Sequence, residues 1–146
     1  MTVVTVGDLP MYHAWHGAVD AEPLVLICGL GLDVSELPPS LLAGLARRYR
    51  VLVFDNRGAG RTGAPPAPYT VEQMAEDTAG LMRACGLARA TVLGVSLGGP
   101  PALARELHAG IPGAQLRVFP GGHHLLLAGQ GRAAVLDAVT GWRPGT

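Results

Sequence analysis

The stretch Thr91-Val92-Leu93-Gly94-Val95-Ser96-Leu97-Gly98-Gly99 constrains this chain more than any other. Thr91 to Leu93 reads as a buried strand, and Ser96 follows it in the pattern Gly94-x-Ser96-x-Gly98. A strand that turns sharply into a helix leaves its turn residue exposed at the strand's C-terminal end. Small residues are needed two before and two after it, because neighbouring backbone crowds such a turn. The Ser96 hydroxyl is then expected to face a crevice. The backbone N–H of Leu97, at the helix start, is a ready donor to an oxyanion. The plainer reading of the same residues is a glycine-rich turn that happens to contain a serine.

The rest of the chain suits a sheet around such a strand. Its 146 residues suit a single domain, 1–146, with a real core. Hydrophobic residues make up 49% and aromatics only 5%, so the core is aliphatic, as in parallel strands covered on both faces. Lys+Arg and Asp+Glu both number 11, and no basic run gives nucleic acid an electrostatic footprint. The longest apolar runs, such as 23–32, are too short to span a bilayer. The start, Met1-Thr2-Val3-Val4, lacks the basic region of a signal peptide. Cys28 and Cys85 form no disulfide framework, so a reducing cytoplasm is the expected compartment.

In order, residues 2–6 and 11–16 read as two short strands around the turn 7–10, with His13 and His16 at the surface or an edge. Leu24-Val25-Leu26-Ile27-Cys28 is a buried strand that runs into Gly29-Leu30-Gly31-Leu32-Asp33. That run admits two readings. It could open a dinucleotide fingerprint, with Asp55 as the acid at the end of the next strand, but the third glycine would fall on Val34. The favoured reading is a loop whose N–H groups face the crevice of Ser96. Leu41, Leu42, Leu45, Ala46 and Tyr49 follow helical spacing, and Val51 to Asp55 is a second buried strand. Asp55 and Arg57 are expected to brace the polar loop 56–61 rather than to do chemistry, since an acid beside two arginines forms a structural ion pair, and residues 64–68 form a stiff linker.

Thr70-x-x-Gln73 is a capping box, and Val71, Met74, Ala75, Thr78, Leu81, Met82 and Cys85 line one helical face that Gly86 closes. After the Ser96 turn, a helix over 102–108, a strand Leu116–Phe119, the loop Gly121-Gly122-His123-His124 and a last helix over about 131–142 are expected. That helix would bury Val135, Leu136, Val139 and Trp142.

Taken together, the chain resembles the α/β-hydrolase fold superfamily, in its small esterase and 3-oxoadipate enol-lactonase-like branch. The resemblance is carried by Cys28-Gly29-Leu30-Gly31, Asp55-x-Arg57-Gly58-x-Gly60, Gly94-Val95-Ser96-Leu97-Gly98-Gly99, and Ile111-Pro112-Gly113 through Gly122-His123. It implies a short doubly wound, mostly parallel α/β sheet, a minimal α/β-hydrolase core. It also implies that His123, the histidine directly after glycine, is the catalytic one, with His124 the lesser candidate. The family usually has His-Gly where this chain has Cys28-Gly29.

One departure bears on activity. Family members carry further strands, a lid and the triad acid between nucleophile and histidine. Here His123 follows Ser96 by 27 positions (123 − 96), with Glu106 the sole carboxylate between them. The chain therefore resembles a hydrolase from which the segment after the nucleophile turn, through the acid, has been removed. Leu116–Phe119 is then expected to pair parallel beside 92–95, leaving an open edge that favours homo-oligomers.

The expected function is hydrolysis of a small ester or lactone. Ser96 attacks, His123 acts as base, and the N–H groups of Leu97 and Leu30 hold the oxyanion. Activity is expected to be weak unless Glu106, Asp33 or a partner chain supplies the missing carboxylate. No cofactor, metal, nucleic acid or membrane enters this reading. The alternative is a non-catalytic or minimised scaffold, a binding module.

Overall fold

The computed structural model describes residues 2–29, 31–94, 139 and 141. Within them the order of elements is β1 (Thr2–Val6), β2 (Leu9–His16), β3 (Glu22–Ile27), a 3-10 turn (Val34–Glu36), α1 (Pro39–Ala46), β4 (Tyr49–Phe54), α2 (Val71–Ala84) and β5 (Thr91–Gly94). The strands form one five-stranded sheet in the order β1-β2-β4-β3-β5. β1 pairs antiparallel with β2, and β2 antiparallel with β4. β3 lies parallel between β4 and β5. This is the expected α/β class: a doubly wound, mixed sheet with an antiparallel N-terminal edge.

Both helices start where their sequences say they should. Pro39 stands in the first turn of α1, where a missing N–H costs nothing. At α2 the Gln73 N–H donates to Thr70 Oγ1 at 3.2 Å and the Thr70 N–H donates to Gln73 Oε1 at 3.0 Å, so the capping box is complete.

The alternation along the strands splits the core into two layers. Leu24, Leu26 and Cys28 of the β3 segment and Val51 and Val53 of β4 face α1 with its Leu41, Leu42 and Leu45. Val25, Ile27, Leu52 and Phe54 face the other way, onto Ala75, Leu81 and Met82 of α2. Met82 and the buried Met74 are core residues, as their spacing implied. Fully burying a leucine such as Leu45 or Leu81 is worth roughly 1.5–3 kcal/mol, so these two faces fix how both helices sit. Val139 joins the α1 layer, and the Tyr49 hydroxyl donates to its carbonyl at 2.9 Å.

The two layers follow from the strand order. From β3 the chain steps to β4 on one side, then crosses back over β3 to β5 on the other. Crossovers between parallel strands keep one hand, so reversing the direction of travel moves the connecting helix to the opposite face. β3 is thus the strand at which the winding reverses, and in open α/β sheets ligands bind outside the carboxyl end of that strand.

Two expectations are corrected here. His13 is buried, not at the surface, because β2 is an interior strand with Thr2 of β1 on one side and Phe54 of β4 on the other. Thr91 to Leu93 reads as a buried strand, yet β5 is half-buried, since among the described residues it has β3 alone as its neighbour. The expected helix over 102–108, the strand Leu116–Phe119 with its pairing, and its open edge lie outside the described residues.

Candidate active site at the strand reversal

The register places three chain exits side by side. Ile27, the last residue of β3, is level with Phe54 of β4 and with Gly94 of β5. The loop from Cys28, the loop from Asp55 and the chain leaving Gly94 therefore start from one edge of the sheet. Ser96, Leu97, His123 and Leu30, the four residues assigned to catalysis and the oxyanion hole, lie outside the described residues, as does Glu106.

The loop after β3 is a tight turn. The Leu32 N–H donates to the Gly29 carbonyl at 3.3 Å. Gly31, its third residue, has φ +73°, a conformation that glycine adopts without penalty. Asp33 then caps the 3-10 turn. Its carboxylate accepts from the backbone N–H and the hydroxyl of Ser35, and Glu36 reaches back to the Asp33 N–H at 3.1 Å. The Ser35 hydroxyl, and then its backbone N–H, hold the Asp33 carboxyl below its ordinary value. Asp33 was a candidate for the missing acid, and these partners already use it. A dinucleotide site would need a long helix opening at the glycines; here the 3-10 turn intervenes and α1 begins only at Pro39.

The loop after β4 is built around Asp55, which is 0% exposed. One carboxylate oxygen accepts from the Val34 N–H at 2.7 Å and the other from the Arg61 N–H at 2.9 Å. Its main-chain carbonyl accepts from the Thr62 hydroxyl at 2.7 Å, and that hydroxyl oxygen accepts from the Tyr12 N–H at 3.0 Å. Asp55 does brace its loop, but through backbone N–H groups. The ion pair expected with Arg57 is not formed, because Arg57 turns to α2 and donates to both oxygens of Asp77, at 2.6 and 2.8 Å. Asp77 is 20 positions from Arg57, and nothing local in the sequence announces the pair.

Asn56 was also missed. Its side-chain amide donates to the Cys28 carbonyl at 3.0 Å, 28 positions away. Cys28 is no nucleophile in this setting. Burial above all, and then the charges of Asp55, Asp33 and Glu36, push its thiol up to about 12. Among the described residues no group of three His, Cys, Asp or Glu could hold a metal ion, and no helix is long and apolar enough to cross a membrane.

Comparison with known proteins agrees with this geometry. The family described as "alpha/beta hydrolase fold" matches residues 22–105. A protein of Caulobacter segnis named "Putative carbamate hydrolase RutD" is 39% identical over 111 residues, covering 74% of this chain and 41% of that protein. The 3-oxoadipate enol-lactonase 2 of Acinetobacter baylyi is 29% identical over 96 residues, covering 66% of this chain and 36% of that protein. The crystal structure of the enol-lactonase from Burkholderia xenovorans LB400 superposes with a TM-score of 0.69 at 34% identity, over 75% of this chain and 42% of that one. The chain thus spans about two fifths of the length of the relatives it matches. With the match over 22–105, the three exits at one sheet edge and the winding reversed at β3, this chain belongs to the α/β-hydrolase fold family.

Proposed function

We propose that this chain is a serine hydrolase of small acyl compounds. Ser96 is the nucleophile, His123 its base, and the N–H groups of Leu97 and Leu30 form the oxyanion hole. The observation that supports this most is the register of Ile27, Phe54 and Gly94, since β5 ends at Gly94, two positions before Ser96 in the chain, beside the strand where the winding reverses. The Ser96 oxygen adds to the carbonyl carbon while His123 takes its proton. The tetrahedral intermediate then collapses, and His123 returns the proton to the leaving group. Water repeats the sequence on the acyl-enzyme and releases the acid.

The relatives named as an enol-lactonase and a carbamate hydrolase support a small ester, lactone or carbamate as substrate. Turnover is expected to be slow. Asp33 and Asp55, the first carboxylates along the chain after β3 and β4, already serve backbone groups. An imidazole without its orienting acid loses on the order of 10⁴ in rate.

That same use of both carboxylates favours a second reading, a non-catalytic scaffold. Labelling with a fluorophosphonate probe separates the two. Covalent labelling of the parent that is absent from Ser96→Ala supports the hydrolase. A folded parent that takes no label, or equal labelling of both proteins, overturns it.

A further inference from the structure

Two adjacent side chains at the exit of β4 hold the loop that leaves β3 at both of its ends. Asn56 fixes the start of that loop, through the Cys28 carbonyl at 3.0 Å. Asp55 fixes its finish, through the Val34 N–H at 2.7 Å. Between the two lie residues 29–33, which include Leu30.

The holding groups are themselves held from elsewhere. The second oxygen of Asp55 is engaged by the Arg61 N–H, and its main chain by Thr62, which also takes the Tyr12 N–H of β2. Gly60 makes this approach possible. A Cβ there would lie 2.2 Å from Asp55 Oδ2 and 2.7 Å from the Asp33 Cβ. The position of the β3 loop is therefore set from the exit of β4 and from β2.

We propose that Asp55 and Asn56 are positioning residues that clamp the oxyanion loop at its two ends, so that its N–H groups are in place before substrate arrives. This rests on the reading of Ser96 and Leu30 given above. An oxyanion donor works only within a few tenths of an ångström of its place, and it acts on charge that develops in the transition state. Loosening the clamp should therefore lower kcat and leave KM nearly unchanged, the signature of an interaction made only in the transition state.

The test compares the parent with Asn56→Ala and with Asp55→Asn, whose side chain keeps the shape of the buried acid. Two readouts are taken: the Ser96-dependent turnover of nitrophenyl acetate, and amide hydrogen exchange across residues 29–34. The expected result is a fall in kcat of about 10-fold to 100-fold with KM held, together with faster exchange confined to that loop. Ser96-dependent turnover whose kcat survives both substitutions overturns the clamp alone. So does a rise in KM with kcat held, and so does a fall in kcat with loop exchange unchanged. A parent with no Ser96-dependent rate overturns the hydrolase reading, and the catalytic use of the clamp with it.

Discussion

Arg57 donates from Nε and from Nη2 to the two oxygens of Asp77, so that the loop after β4 is pinned to the middle of α2 by a two-pronged charged contact. Side chains in this pair are only 13% and 10% exposed, which limits screening by water. Asp77 and then burial act on Arg57 in opposite senses, and the Asp77 hydrogen bond wins, holding the guanidinium more firmly protonated. An Asp77→Ala change leaves Arg57 sheltered and unpaired. Exposed pairs are worth at most about 1 kcal/mol, and breaking fully buried ones costs about 3–5. This pair stands between, so a loss on the order of 2 kcal/mol is expected in urea unfolding. Arg57→Lys should recover only part of it, because an ammonium lacks the fork.

His13 makes stability depend on pH. It is buried in β2, and burial, outweighing a hydrogen bond with the Met11 backbone, lowers its pKa in the folded state. The unfolded chain then binds more protons than the folded one below the ordinary value of about 6.5. Stability is therefore full above that pH and declines as pH falls toward the folded-state pKa. Unfolding followed between pH 7.5 and 5 should show this decline in the parent. His13→Gln should give a flatter curve over the same window.

Two glycines with positive φ should respond very differently to alanine. Gly31, φ +73°, has nothing among the described residues within 4 Å of where a Cβ would stand, so Gly31→Ala is expected to carry backbone strain, about 1 kcal/mol. Gly60, φ +51°, carries the same kind of strain and also drives a methyl group into the Asp55 carboxylate. Gly60→Ala should cost at least about 2 kcal/mol more than Gly31→Ala in thermal or denaturant unfolding. Equal losses would show that Asp55 moves aside without penalty.

The two thiols should be distinguishable in the native protein. Cys28 is buried with its thiol pushed up to about 12, whereas Cys85 is half-buried and its thiol is raised by burial against the pull of Arg50. Only the thiolate reacts. At pH 8 an aromatic disulfide reagent should consume Cys85 first, and Cys28 only as the chain unfolds. Early modification of Cys28 would mean that the β3 exit opens on its own.

Much of the local structure could be read from the chain itself. The buried-strand runs 24–28 and 51–55, the capping box at Thr70 and Gln73, and the Gly-rich runs that follow them report interactions a few residues long, where sequence spacing and spatial spacing are the same thing. The α/β class and the likeness to hydrolases rest on those runs falling in one order. The site itself was read only as residue types in a motif, Ser96 and His123, with Leu30 and Leu97 as donors.

Only the tertiary structure decided which side chains answer which at the strand exits. The partner of Arg57 is Asp77 and not Asp55; the Asp55 carboxylate serves Val34 and Arg61; Asn56 reaches Cys28; and His13 is interior because two strands close over it. Most of these contacts join residues separated by 20 to 28 positions or, for His13, two strands drawn from opposite sides. Their identity is set by strand order and register. A polar side chain at a strand exit has several donors and acceptors within reach of its type, and its own neighbours in the chain do not choose among them. Packing chooses, because each buried group must find whichever partner the sheet brings to it.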